Sequence, residues 1–278
     1  MSLKKINNAK IGVMTDFFDG KAVAGENEKY LKEKVEKLKN KGVFPKMVSI
    51  IIGGDRQSNF YQNLKKKAAE RVGIEVVIIN LKREVSKEEV LNIVAKLNSD
   101  EKIHGIMFQL PITDKFSLQD RSEMIDSIHP DKDVDGLREE GAFLPPVVRA
   151  VLCAVPNKSN LLKTVVLGAK GFEGRKITKK LRELGYRDLY DLDRSDKNDM
   201  NKIVLNADLV ISTTGQPDLI KPDMIKEGVI LIDVGSPRGD ISKGCYEKAA
   251  YVSPVPGGIG PVTISYLLEN IVRACRDI

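Results

Sequence analysis

The feature that most constrains this chain is an alternation of two patterns. Short runs rich in valine and isoleucine, closed by turn residues, are separated by stretches with helical periodicity. "MVSIIIGG", "EVVIIN" and "GIMFQLP" read as buried strands. Between them, "ENEKYLKEKVEKLKN" places Leu31, Val35 and Leu38 on one helical stripe. "SKEEVLNIVAKLN" opens with a capping box, Ser86 with Glu89 three residues later. Strands separated by helices predict an α/β fold with a parallel sheet covered on both faces.

A second series follows "LPPVVRAVLCAVPNKSN". It contains "TVVLG", "RDLYDL", "DLVIST" and "VILIDVG", each closed by a turn and most followed by a helix. Two α/β units joined near Pro145–Pro146 is the simplest division of 278 residues. The final helical segment, "TISYLLENIVRAC", carries Ile264, Leu267, Leu268, Ile271 and Val272 on one stripe and could pack on either unit.

Composition narrows the chemistry. Two histidines and three scattered cysteines without ligand spacing predict no metal site and reduced thiols, as in a cytoplasmic protein. No segment reads as a signal peptide or a membrane span. The net charge of +6 is dispersed, and with no tryptophan the chain lacks a base-stacking surface, so no nucleic-acid partner is expected. The modest positive charge suits a polyanionic small molecule.

Candidate residues gather at predicted strand ends. The second unit opens with "VVLGAKGFEGRKI", in which Gly168, Gly171 and Gly174 follow a strand and lead into a helix. The spacing is Gly-x-x-Gly-x-x-Gly rather than the usual Gly-x-Gly-x-x-Gly, but the need is the same. A tight turn brings backbone close to a phosphate at a helix N-terminus. "YDLDRS" ends the next strand, where a ribose is read. There Asp193 suits a 2′-hydroxyl, while Lys170, Arg194 and Ser195 suit a 2′-phosphate; an ordinary strand-end turn explains Asp191 and Asp193 equally well. "VISTTGQP" and "LIDVGSP" bring Thr213, Thr214, Gly215, Gly235 and Ser236 to the same sheet edge. In the first unit, Tyr61 and Lys65 share a helical face. Gln109 ends "GIMFQLP", and Asp131, Asp133 and Asp135 lie in "PDKDVDG", a loop too short of ligands for calcium. "VSPVPGGIGPVT", with three prolines and three glycines, precedes the last helix.

Together these segments resemble the bifunctional methylenetetrahydrofolate dehydrogenase/cyclohydrolase family. The resemblance rests on "DGKAVA", "SNFYQNLKKKAAERVGI", "GIMFQLPI", "PDKDVDG", "ADLVISTTGQP", "IDVG" and "PVPGGIGPVT", which run almost end to end. It implies two α/β domains flanking a cleft. Residues 1–145 with 262–278 would form a folate-binding catalytic domain, and 146–261 a Rossmann-like NAD(P)-binding domain. It implies oxidation of 5,10-methylenetetrahydrofolate to the methenyl compound, then hydrolysis to 10-formyltetrahydrofolate. Lys65 would be the central catalytic group, tuned by Gln109; Tyr61 would stack on the folate, and Asp135 would accept from the pterin. Pro256, Gly257 and Gly258 would approach the substrate, and Gly168, Ala169, Lys170, Gly171, Asp193, Arg194, Ser195, Thr214, Gly215 and Ser236 the cofactor, NADP or else NAD. A cytoplasmic homodimer is implied as well.

Departures fall on the cofactor side. The family usually has Gly-Arg-Ser at the first cofactor turn, where this chain has Gly168-Ala169-Lys170. The segments after "DVDG" and "IDVG" are shortened, and Ser236 replaces an apolar residue. A cyclohydrolase without useful nicotinamide binding, or a non-catalytic folate- or nucleotide-binding protein, is therefore the alternative that the sequence leaves open.

Overall fold

The computed structural model describes residues 3–6, 15–53, 56–157, 159–193 and 196–275. In chain order the strands are β1 (Leu3–Ile6), β2 (Thr15–Phe18), β3 (Lys46–Ile52), β4 (Glu75–Leu81), β5 (Gly105–Phe108), β6 (Thr164–Leu167), β7 (Leu189–Leu192), β8 (Leu209–Ser212), β9 (Ile230–Asp233) and β10 (Tyr251–Ser253). The helices are α1 (Gly20–Asn40), α2 (Arg56–Val72), α3 (Lys87–Ser99), α4 (Leu118–Asp126), α5 (Pro146–Ala154), α6 (Phe172–Glu183), α7 (Lys197–Leu205) and α8 (Ile259–Ala274). Two compact units result: Met1–Ala24 with Val147–Thr263, and Gly25–Pro146 with Ile264–Ile278.

The unit built on Gly25–Pro146 holds a three-stranded parallel sheet of order β4-β3-β5. Met47 and Ile50 of β3 are fully buried, as a strand covered on both faces requires. Leu31 and Val35 of α1 share one core with Met47, with Ala68, Ala69 and Val72 of α2, and with Leu267, Leu268 and Ile271 of α8. The last helix, whose periodicity left its packing open and which the family resemblance set with this unit, packs here through Leu267, Leu268 and Ile271. The Ser86 capping box is present: Glu89 N–H donates to Ser86 Oγ at 3.1 Å, and Ser86 N–H to Glu89 Oε2 at 2.8 Å. Ser117 and Asp120 form a second box that opens α4.

The other unit holds a seven-stranded sheet of order β1-β2-β10-β9-β8-β6-β7. Only the β1–β2 pairing is antiparallel; β2 lies parallel to β10. The order reverses at β6, whose neighbours are β7 and β8, so a switch point opens at the carboxyl ends of β6 and β8. The N-terminal segment departs from the division expected from the sequence, which set residues 1–145 with the first unit. Strand pairing decides this: Asp16 N–H donates to Ala250 O at 2.9 Å, and Thr15 Oγ1 to Tyr246 O and Ala249 O. Four-residue strands of mixed polarity carry little local signal for such a partner.

The glycine-rich stretch before α8 has a packing explanation. Gly258 N–H donates to Pro254 O at 2.8 Å, and a Cβ on Gly258 would lie 2.6 Å from that oxygen and overlap Ser253 Oγ. Gly20, at the start of α1, packs directly on the Gly258 carbonyl and leaves no space for a Cβ either. Gly257 has φ +110°, and the Val255–Pro256 bond is cis. Gly260, in contrast, faces open space inside the helix. Gly258→Ala is therefore expected to destabilise the protein by about 2–4 kcal/mol, as overpacking of backbone does, while Gly260→Ala is neutral or stabilising by up to about 1 kcal/mol. Denaturant unfolding of the two variants beside the wild type reads the contrast; equal losses would contradict it.

Candidate functional site

Lys65 lies on α2, and Gln109 follows the last residue of β5. Gln109 continues the strand pairing, its N–H donating to Ile50 O at 2.9 Å. Its side chain turns back to the helix, and Lys65 Nζ donates to Gln109 Oε1 at 3.0 Å. Lys65 Nζ also lies 3.8 Å from the thioether sulfur of Met107. The amine is half-buried, held against a neutral amide and an apolar sulfur. The Gln109 amide oxygen gives the amine a fixed, neutral acceptor.

The backbone of Tyr61 sits one helical turn before Lys65 on α2. Asp135 follows the parallel bridge between Ile106 of β5 and Asp133 by two residues and is half-buried. Asp133 has a different task from Asp135. It is fully buried and accepts from Leu137 N–H at 3.2 Å and Arg138 N–H at 2.8 Å, which folds the loop that carries Asp135. Sequence reading did not single out Gln62, which donates to Gln109 Oε1 at 2.8 Å and to Ser49 Oγ at 2.6 Å. Its signal was available: Gln62 is three residues from Lys65 on a helix, hence on the same face.

The second group of candidates lies in the other unit, at the switch point. Gly168 has φ +79°, and a Cβ there would be 2.8 Å from Thr213 Oγ1. A Cβ on Gly174 would overlap the Gly168 carbonyl. The turn is tied to both neighbouring strands: Gly168 N–H donates to Leu192 O at 2.8 Å, and Thr213 N–H to Leu167 O at 3.0 Å. Gly171 is the N-cap of α6 and supplies no side-chain cap to its first N–H groups. Ala169 is buried, whereas Lys170 and Gly171 are exposed. Tight turn, bare helix N-terminus and missing side chains fit the pyrophosphate of a dinucleotide. Asp193 lies just past β7, its N–H donating to Asp196 Oδ2 at 2.8 Å. Arg194 and Ser195 lie outside the described residues.

Thr214 and Gly215 are held by a residue that sequence reading missed. Asp240 is fully buried, and its Oδ2 accepts from Ser212 Oγ at 2.8 Å, Thr214 N–H at 2.7 Å, Thr214 Oγ1 at 2.9 Å and Gly215 N–H at 3.3 Å. Asp233, at the end of β9, is equally buried and accepts from the N–H groups of Gly235, Asp240 and Ile241 at 2.9, 3.0 and 3.0 Å. Ser236, exposed and followed by a cis bond to Pro237, lies on the loop these carboxylates organise. Pro256 is exposed, Gly257 half-buried and Gly258 buried, all in this unit rather than the one bearing Lys65. Among the described residues, no group of His, Cys, Asp or Glu could hold a metal ion, and no helix is long and apolar enough to cross a membrane. The three cysteines are free thiols.

Fold and site together define a two-unit enzyme with a lysine–amide centre in one unit and a dinucleotide edge in the other. The comparisons identify the class. The catalytic domain of tetrahydrofolate dehydrogenase/cyclohydrolase matches residues 18–135, and the NAD(P)-binding domain of the same family matches residues 145–278. The bifunctional protein FolD of Lactobacillus acidophilus is 34% identical over 282 residues, covering 95% of this chain and 98% of its own. The bifunctional FolD of Campylobacter jejuni, a solved structure, superposes with a TM-score of 0.85 at 33% identity, covering 94% of this chain and 98% of that one. The Trypanosoma brucei FolD structure, complexed with NADP cofactor and inhibitor, gives 0.84 at 31% identity, covering 94% and 97%. The chain belongs to the tetrahydrofolate dehydrogenase/cyclohydrolase family. It is a bifunctional folate enzyme with an NAD(P)-binding domain.

Burial, with the neighbouring Asp240 charge adding to it and three backbone N–H groups opposing, pushes the Asp233 carboxyl up to about 6. In the unfolded chain the group titrates near 3.9. As pH rises from about 4 to about 6 the unfolded chain therefore loses this proton first, and the folded state loses stability across that window. Relative to Asp233→Asn, the wild type is expected to lose on the order of 1–3 kcal/mol between pH 4 and pH 6.5, with no further change above it. Thermal unfolding of both proteins as a function of pH measures this. A constant difference would show that Asp233 does not titrate in the window.

Proposed function

We propose that Lys65, held by Gln109, is the proton-handling group of this folate enzyme, with Tyr61 and Asp135 binding the substrate beside it. The observation that carries the reading is the 3.0 Å contact from Lys65 Nζ to Gln109 Oε1 at the end of a buried parallel strand. In the hydrolytic step, water adds to the cationic methenyl carbon, and unprotonated Lys65 accepts one of its protons. The bond from that carbon to one ring nitrogen then breaks. That nitrogen takes a proton back from Lys65, the other nitrogen keeps the formyl group, and one proton leaves to solvent. Asp135, acceptor-only when ionised, suits the amino and ring N–H groups of the pterin. Tyr61 offers an aromatic face for the folate ring.

In the oxidative step the methylene carbon gives up a hydride, for which a nicotinamide bound at the second unit would supply the acceptor. Gly168, Gly171 and Gly174 shape the turn for its pyrophosphate, and Thr214, Gly215 and Ser236 lie along the same edge. Pro256, Gly257 and Gly258 present backbone with little side-chain bulk. At the ribose, Ala169 offers no charge, Lys170 is an exposed cation, and Asp193 favours a free 2′-hydroxyl. This combination supports use of NAD as well as NADP. The homodimer reading rests on the family resemblance alone, and the cytoplasmic one also on the scattered cysteines.

Purified protein mixed with 5,10-methylenetetrahydrofolate should reduce both cofactors, with kcat/KM values within about tenfold of one another. Absorbance of reduced nicotinamide reads this, and reduction of NADP alone would reject the ribose reading. Lys65→Met should lower cyclohydrolase kcat by about 10²-fold or more, followed as loss of the methenyl chromophore. Turnover at the wild-type rate in that variant would remove Lys65 from the mechanism.

A further inference from the structure

Gln109 Oε1 is doubly bonded. It accepts from Lys65 Nζ at 3.0 Å and from Gln62 Nε2 at 2.8 Å, which occupies both lone pairs of an amide oxygen. Its orientation is forced from a backbone anchor. Gln109 Nε2 donates to Leu110 O at 2.8 Å, and a carbonyl oxygen can only accept. The nitrogen must therefore face Leu110, and the oxygen faces α2. Gln62 is fixed by the same logic. Exchange of its oxygen and nitrogen would set two amide oxygens face to face at 2.8 Å, so Nε2 points to Gln109, and its second hydrogen goes to Ser49 Oγ at 2.6 Å.

Gln62 is 1% exposed, and among the described residues its own Oε1 has no hydrogen-bond partner. A buried amide with an unpaired acceptor burdens the fold, and an apolar side chain of similar volume would carry no such burden. The gain from having glutamine there lies in what its nitrogen does. From Ser49, Gln62, Gln109 and Lys65 we infer that Gln62 is a positioning residue for this enzyme's reaction: it fixes the Gln109 carboxamide so that the amide oxygen stays aimed at the Lys65 amine. The inference rests on the role assigned to Lys65 above. Without Gln62, the Gln109 carboxamide keeps Leu110 O and the Lys65 amine itself but loses the buried donor that fixes its oxygen, so Lys65 loses a fixed partner. A misplacement of that kind acts on turnover rather than on substrate affinity.

The test is a double-mutant cycle on the full-length protein. Gln62→Met preserves length and volume but removes the donor. It is expected to lower cyclohydrolase kcat about tenfold, with KM for the methenyl substrate within about twofold. In a Gln109→Met background the same change should cost less than about twofold, because the oxygen it orients is gone. The pH–rate profile supplies a second reading. The bond from Gln109 favours the protonated amine, so loosening it should move the acid limb of the profile to lower pH. A folded Gln62→Met protein that keeps kcat within twofold, or loses tenfold equally in both backgrounds, would overturn the inference. Ser49→Ala, a smaller change at the far end of the chain of bonds, should lower kcat less than Gln62→Met while leaving KM unchanged; if Gln62→Met does not fold, an unchanged kcat in Ser49→Ala overturns it. Full activity in Lys65→Met would instead refute the underlying assignment, so the two failures are distinguishable.

Discussion

Both sheets are covered on their two faces, and this burial decides where polar chemistry can lie. Met47, Ile50, Val165, Val210 and Leu231 make the faces of β3, β6, β8 and β9 mostly apolar, and Ser49 is a buried polar exception inside β3. Parallel strands must also return by crossover helices, so the strand ends face loops rather than core. Gln109, Gly168, Thr213 and Asp233 all occupy such ends or the first position beyond them. The lysine–amide centre and the dinucleotide edge are in this sense the same solution applied twice.

The two units differ in how they hold a polar group in place. Among the described bonds around Lys65 are those to the Gln109 amide and the Met107 thioether, with Gln62 and the Ser49 hydroxyl behind Gln109. Such partners orient the amine through neutral acceptors. At the dinucleotide edge the holders are two buried carboxylates, Asp233 and Asp240, which between them gather backbone N–H groups from the loops after β8 and β9. Ionised carboxylates make strong bonds to backbone donors and stiffen loops, but burying two of them together carries an electrostatic cost. The elevated titration of Asp233 comes chiefly from its own burial, with the Asp240 charge adding to it.

Glycine served two ends that its frequency alone did not separate. At Gly168 and Gly174 the missing Cβ shapes a turn against Thr213 and leaves a helix N-terminus bare, as a phosphate needs. At Gly20 and Gly258 it permits the start of α1 and the loop before α8 to touch through backbone. The Pro-Gly-Gly stretch therefore has a packing role inside its own unit, whatever it also offers a ligand.

Much of this protein was legible in one dimension. The alternation of strand and helix patterns located β3 to β9 and most of the helices, and Ser86 with Glu89 marked a helix start, because these signals depend on neighbours a few residues away. Lys65, Gln109 and Asp135 were singled out by type and family pattern, and the structure brings the first two into contact. What only the tertiary structure decided involves partners distant along the chain. The pairing of β2 with β10, the grip of Asp240 on Thr214, and the bond from Gln62 to Gln109 are of this kind. Periodicity records which face of a segment is apolar, and spacing records what lies one turn away. Neither records which distant donor meets which acceptor, since that is set by how the strands are ordered and by the directions their ends take.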